Sequence, residues 1–569
     1  MTTGFQKTVI YLLQALVNET AINIGWLDQS TMTAIITDIN EPSTQHSVTA
    51  KCQMNPFSNE LENFQWETIL VDKRAVQNMA VLRVLGLNQQ QYSILQQNIE
   101  ATDHLEAIYE QCRTSQPKIL ECIASLTGTS FPLTFDPTQP KAYATLLARV
   151  PPREALLITE TCGNIDGSTG NPIKNVMFGP KPGAVEHHPI SVAFKHGTSQ
   201  LQLVFNPKAE MREEGSIPTR LLNDFKFYTD EHHIPMNKYA VAVSNKQSSV
   251  RSSIDAFVLL SKRSFMPLNG DYQIKTSFPA QITSESRIID WNTAEDAIEC
   301  TRIVSQLASL GKLPENLWVL PTLFAAQVKG DDNTTFYIRG GLSDAYSNGN
   351  IVGVPKHFTP VTACALTTRN ILTPHKTLFE SMAEFGFDPV NLFKDISDGI
   401  IGAQLHFIAI RWVPDAHTQN VAYLFDMSQK RFAGLLLKDA EYEENKTIRG
   451  GKLASSISDF KPILQSESGS NIRTVVSTLY FHHTIYTKHI EPLARLLHDK
   501  YQISIADIQT IVHNSLTSWL EKNSGVDMQN KIDISGRYYE RNLACKTLKI
   551  GKPPYYRLIQ NHKLLPAIH

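Results

Sequence analysis

Cysteine is scarce in this chain. The seven present (Cys52, Cys112, Cys122, Cys162, Cys300, Cys364 and Cys545) are scattered, odd in number and include no CxxC pair. That pattern argues against a disulfide framework or a zinc ribbon and fits reduced thiols in a cytosol. Charge of one sign is not in excess either: the formal net charge is -2, from 53 Lys and Arg against 55 Asp and Glu. This removes the electrostatic case for a nucleic-acid or anionic-membrane partner, while a local basic pocket stays compatible with the average. No run approaches the ~20 apolar residues of a membrane span. The apolar run at residues 9–17 follows Lys7, contains Gln14 and leads into NETAINIGW without a small-residue cleavage site. An amphipathic helix is therefore the better reading than a secretory signal, and the chain reads as cytoplasmic. Phosphate-binding signatures of other enzyme classes are missing as well. The stretch GGKLASS lacks the GxxxxGK[ST] spacing, no GxGxxG follows a strand, and there is no GxSxG elbow.

What is present is ordinary globular material, 42% hydrophobic and 19% charged over 569 residues. That length is too great for one core and predicts two or three domains. Up to about residue 135 the pattern is mostly helical, with Leu105, Ile108, Tyr109 and Cys112 on one apolar stripe. The Pro-containing residues 130–142 read as a linker or domain edge. From about residue 150 short β-like runs follow: ALLITE, SVAFKH, LQLVF, YAVAVS, AFVLLS and YQIKTSF. They predict a mainly antiparallel sheet with helices packed on it, one of them starting near Asn292–Thr293. From about residue 375 AQLHFIAIRWV and NVAYLFDM read as paired strands, then RFAGLLLKD, then C-terminal helices. The expected division is 1–135, 136–374 and 375–569, in an α+β fold.

Two stretches concentrate chemistry. Between Ser261 and Arg287 the chain brings together Arg263, Lys275 and Arg287 with the hydroxyls of Ser261, Ser264, Thr283 and Ser284. Guanidinium groups grip phosphates and carboxylates bidentately and lysine acts as a point charge, so this is an inventory for holding both kinds of anion. The plainer alternative is a surface strand with solvated Lys and Arg. Ser261 and Arg263, twelve residues before Lys275, tilt the balance toward one cradle. The second stretch, DAHTQN with the later Asp439, supplies His417, Gln419, Asn420 and two carboxylates, enough for a proton-transfer group and a magnesium site. On an extended strand Asp415, His417 and Gln419 would project from one face.

In order and spacing, S-x-R-[S/T], then K, then T-S-x-x-R, then H-x-Q-N resembles the siderophore synthetases that work independently of nonribosomal peptide synthetases, the aerobactin-synthetase family. The likeness runs from roughly residue 150 to the C-terminus. It implies a cupped-hand architecture of helical N-terminal thumb, β-rich fingers and mixed α/β palm. It also implies an ATP-dependent ligase that activates citrate or a citrate derivative as an acyl-adenylate, releasing pyrophosphate. The adenylate is then condensed with a polyamine, amino acid or hydroxylated amine, and a homodimer is an expected assembly. By resemblance, Ser261, Arg263, Ser264, Lys275, Thr283, Ser284 and Arg287 bind ATP phosphates and the carboxylate. His417, Gln419 and Asn420 lie against the nucleotide, Asp415 and Asp439 hold Mg2+, and Lys275, Arg287 and His417 act in catalysis.

The chain departs from the family at four places. Ser264 replaces Thr, Asp415 stands where Glu is usual, and Lys438-Asp439 where Arg-Asp is common. The family's H-P-x-H-P-x-x-K becomes His188-Pro189 followed by Ser191 and Lys195, with His187 or His196 as substitutes for the second histidine. These departures motivate an alternative, a non-catalytic descendant that binds a nucleotide or carboxylate without turnover; a phosphotransferase releasing ADP is a third option. The pairs His187-His188, His232-His233 and His482-His483 invite a zinc reading, but adjacent side chains diverge. His482 and His489 would stand about 10 Å apart on a helix, too far for one ion.

Overall fold

A computed structural model describes residues 4–37, 41, 43–54, 61–77, 83–114, 136, 138–161, 177–178, 199–205, 210–261, 263–282, 285–351, 353–368, 370, 372–373, 375–409, 414, 416–439, 481–523, 537–541 and 556–560. The architecture is α+β, as expected. The N-terminal region carries the helix Gly4–Thr20, which is the run after Lys7, and the helix Gln89–Thr114, which holds the Leu105 stripe. Between them lies an antiparallel sheet of five strands in sequence order, from Ala21–Trp26 to Arg74–Ala75. The helical reading of this region had no place for that sheet. Val9, Leu12, Leu13, Leu16 and Val17 of the first helix close its core over Met32, Ala34 and Ile36.

Two larger sheets follow. The first has eight strands, with Ser264–Pro267, Tyr272–Thr276 and Phe336–Gly340 as neighbours in its middle. The second has six strands, in which Phe358–Thr362, Val421–Asp426 and Arg431–Leu437 form an antiparallel run. Leu317–Val319 joins that run in parallel to Arg431–Leu437. Strands from either side of residue 375 thus share one sheet. Gly434 sits where this parallel pair closes up: its φ is +154, and a Cβ there would meet the Asn316 carbonyl oxygen at 2.2 Å. Only glycine fits such an approach without displacing the backbone.

Several apolar runs took the other secondary structure. ALLITE lies in the helix Pro152–Thr161, YAVAVS in the helix Lys238–Val243, and AQLHFIA in the helix Pro389–Ala409. Short apolar runs do not tell a helix from a strand by periodicity alone: burial masks the period in Pro152–Thr161, while Lys238–Val243, with Ala240 and Val241 buried, is too short to show one. In Pro152–Thr161 every residue from Glu154 to Thr161 is buried. LQLVF, YQIKT, NVAYLFD and RFAGLLL are strands as read, and the helix Trp291–Ser309 starts on the Asp290 side chain, which accepts from the Thr293 N–H at 2.7 Å. SVAFKH and most of the 130–142 stretch lie outside the described residues.

Candidate active site

The strand Tyr272–Thr276 is buried at all five positions, so Lys275 enters the interior with its charge. Directly across the ladder is Tyr337, and two residues further along that strand is Arg339. With period-2 alternation all three side chains share one face. Lys275 Nζ lies 5.0 Å from the Tyr337 ring centroid and Arg339 Cζ 5.7 Å, so the ring's negative face sits against both cations. Two buried cations side by side require a counter-charge, and Asp439 supplies it from the other sheet. Its Oδ2 accepts from Lys275 Nζ at 2.7 Å, and its Oδ1 lies 2.9 Å from Arg339 Nη2. The Arg339 contact is an ion pair without the alignment of a hydrogen bond. Lys275, Arg339 and Asp439 are 3%, 4% and 7% exposed, so the charges stand out of reach of solvent screening.

Asp439 is placed by the hairpin of Val421–Asp426 and Arg431–Leu437, whose open end brings Asn420 beside Lys438: the Lys438 N–H donates to the Asn420 carbonyl at 2.7 Å. Lys438 and Asp439 then diverge. Lys438 Nζ turns to Glu160, at the end of the helix Pro152–Thr161, and to the Thr362 hydroxyl at 3.4 Å. Glu160 also accepts from the Thr362 hydroxyl at 3.1 Å and from the Leu260 N–H at 2.9 Å. Leu260 immediately precedes the Ser261 turn, so one buried carboxylate braces both motif-bearing segments.

In that turn the Ser261 Oγ accepts from the Ser264 N–H at 3.0 Å, which commits Ser261 to shaping the bend. Arg263 is half-buried and donates to the Arg287 carbonyl at 3.2 Å, and Ser264 pairs with Lys275 in the ladder. Ser261, Arg263, Ser264, Lys275 and the backbone of Arg287 therefore form one neighbourhood. Thr283, Ser284, Asp415 and the His188–Lys195 segment lie outside the described residues.

His417, Gln419 and Asn420 do not lie on an extended strand. The Asn420 N–H donates to the His417 carbonyl at 2.6 Å, closing a turn, so the one-face alternation expected of this segment is replaced by a loop. The sequence reading also passed over Glu160, Tyr337 and Arg339. Lone charges inside the buried runs ALLITE and FYIRG were the available signal, since such groups persist only when paired.

Magnesium finds little accommodation among the described residues. Asp439 faces two cationic side chains rather than further carboxylates, and no three acidic, histidine or cysteine side chains gather there. A polyanion fits better, because Lys275 and Arg339 share one face with Asp439 as their counter-charge, and Arg263 and Arg287 meet in the same neighbourhood.

No protein-family model matches the chain, and no curated protein matches its sequence. Its fold, however, is shared with a class of solved proteins, the siderophore synthetases. It is similar to the ATP-bound aerobactin synthetase IucA from a hypervirulent pathotype of Klebsiella pneumoniae, at 12% identity and a TM-score of 0.68, covering 100% of each chain. It is similar also to the petrobactin biosynthesis protein AsbB of Bacillus anthracis str. Sterne, at 13% identity and a TM-score of 0.66, covering 99% of this chain and 95% of that one. Aerobactin synthetase IucC of the Klebsiella pathotype aligns at 11% identity and a TM-score of 0.62, with 93% of each chain covered. At these identities the likeness establishes a common fold.

Proposed function

We propose that this chain is an ATP-dependent ligase of siderophore biosynthesis. It activates a citrate-type carboxylate and condenses it with an amine or hydroxyl. The observation that carries this reading is the buried Lys275–Tyr337–Arg339 face closed by Asp439, lying between the two motif-bearing segments of a siderophore-synthetase fold. In the first half-reaction a carboxylate oxygen attacks the α-phosphorus of ATP, forming the acyl-phosphate bond as the bond to the pyrophosphate oxygen breaks. In the second, the amine or hydroxyl attacks the acyl carbon and AMP leaves. Both steps bring anions together, and positioned cations in a water-poor cleft reduce that repulsion without reorganising.

In this scheme Lys275, Arg263 and Arg287 hold phosphate and carboxylate oxygens. The hydroxyls of Ser264, Thr283 and Ser284 add donors, while Ser261 shapes the turn. His417, with Gln419 and Asn420, meets the α-phosphate or adenylate. Arg339 joins the set because it shares a face with Lys275. Asp439 takes the part that an anionic substrate would contest, holding Lys275 and Arg339 by the same kind of contact. The described residues offer magnesium no donor cluster, since Asp439 is turned to Lys275 and Arg339. The second reading, binding without turnover, draws on that same clamp, because Asp439 already neutralises Lys275. AMP and pyrophosphate formation, screened with citrate-type acids against amines and with mass detection of the product, separates the two. Nucleotide binding with no pyrophosphate across the screen would favour the non-catalytic reading, and ADP as product would overturn both.

A further inference from the structure

The loop carrying His417 is held through its carbonyls. The Asn420 N–H donates to His417 at 2.6 Å, the Cys364 N–H to Thr418 at 3.4 Å and the Lys438 N–H to Asn420 at 2.7 Å. The fourth contact is different in kind, because the donor to the Ala416 carbonyl is a side chain, His489 Nε2 at 2.8 Å. The other ring nitrogen, Nδ1, lies 2.7 Å from the Tyr423 hydroxyl. Ala416, Tyr423 and His489 are all buried.

We propose that His489 is a positioning residue for His417. It is held as the neutral Nε2–H tautomer between the Tyr423 hydroxyl and the Ala416 carbonyl, and so sets the backbone from which His417 projects. The chemistry fixes the polarity. A carbonyl oxygen only accepts, so Nε2 carries the proton; Nδ1 of a neutral imidazole then offers its lone pair, and the Tyr423 O–H donates to it. The donor direction runs one way, from tyrosine through histidine to the loop.

Two observations support a fixed dipole rather than a proton relay. Burial pushes His489 down to about 4, against the small opposing effect of its bond to Ala416, and pushes the Tyr423 hydroxyl up; both stay neutral near pH 7. The setting is also unusual, because His489 lies in the π-helical segment Phe481–Ile490 that runs directly into the helix Glu491–Tyr501. Wide turns of this kind are rare and cluster at functional sites, since they re-aim side chains that a regular helix would point elsewhere. The segment also packs on the helix Pro389–Ala409 and continues into Glu491–Tyr501, so the His489 imidazole links these helices to the His417 loop.

The role of His417 in this inference rests on the proposed ligase activity, and the test keeps the two apart. His489→Gln retains a donor and an acceptor at similar reach, whereas His489→Leu retains neither. For citrate-dependent exchange of pyrophosphate into ATP, kcat should fall roughly ten- to a hundredfold in His489→Leu, on the scale of a catalytic group displaced by about 1 Å. KM for ATP should move far less, and His489→Gln should recover most of the rate. A His489→Leu protein with unchanged kcat, or a His489→Gln protein as slow as His489→Leu while both melt like the parent, overturns the proposal. If His489→Leu does not fold, Tyr423→Phe decides instead: a lowered kcat supports the role and an unaltered one removes it. If the unmodified protein shows no exchange with any acid, the ligase reading fails and histidine-selective 15N spectra decide the proposal. A neutral Nε2–H signal at pH 7 that disappears in His489→Gln upholds it, and an Nδ1–H or doubly protonated ring refutes it.

Discussion

Replacing Asp439 with asparagine tests the cationic face most directly. The carboxylate lies 2.7 Å from Lys275 Nζ and 2.9 Å from Arg339 Nη2, with all three groups buried. At an effective dielectric constant of ~20, each contact is a gross attraction of about 6 kcal/mol. Most of that offsets the loss of hydration, so the net worth of the triad is far smaller. Asparagine keeps the shape and removes the compensation, leaving an ammonium and a guanidinium together in the interior. Breaking a buried pair from one side costs ~3–5 kcal/mol, and the loss should appear as a lower urea midpoint followed by tryptophan fluorescence. Lys275→Met should cost less, because Asp439 keeps Arg339. The double variant should recover part of the Asp439→Asn loss, because one uncompensated cation is gone. A second expectation follows from the proposed function: ATP or inorganic triphosphate should raise the stability of Asp439→Asn more than that of the parent, since the polyanion supplies the missing charge. A loss below ~1 kcal/mol would mean that the cations are solvated after all. Equal stabilisation of both proteins by the polyanions would place the phosphate site elsewhere.

Arg287→Ala should slow adenylation by roughly thirty- to a thousandfold, ~2–4 kcal/mol of transition-state stabilisation, with little change in unfolding; near-normal turnover would remove Arg287 from the site. Glu160→Gln should strand Lys438 and loosen both the Ser261 turn and the Lys438-Asp439 corner, and hydrogen exchange at the Leu260 and Ser264 amides should rise. Unchanged protection there would show that Glu160 braces neither. His489 also makes a pH prediction. Its folded value of about 4 lies below the ordinary 6.5, so the unfolded chain binds the extra proton first. The stability it contributes is full above pH 6.5 and is lost as pH falls from there toward 4, by about 3 kcal/mol in all. Carboxylates titrate over the same range, so the measurement is the difference between the parent and His489→Gln; parallel curves would show that the ring charges as freely folded as unfolded.

The motif segments were legible because their chemistry is carried by residue type and spacing. Cations and hydroxyls spaced as in Ser261–Arg287 suggest an anion cradle from residue type alone, and the alternation of YQIKT suggests its strand. Continuous apolar runs fit a buried helix as well as a buried strand. ALLITE and AQLHFIA read as strands for that reason and are helices in the structure. The N-terminal sheet escaped notice between two helices with clear signals, and the alternation read into DAHTQN gave way to a turn closed by backbone bonds.

Sequence alone therefore determined which residue types could do chemistry and in what order they occur, since that information is local. Tertiary structure decided the pairings. Lys275 meets Asp439 across 164 positions, and Glu160 reaches Lys438 across 278. His489 meets Ala416 across 73. No local pattern encodes such contacts. They arise because a buried charge or carbonyl is costly until something distant in the chain satisfies it, and only the packing of sheets and helices determines what stands there.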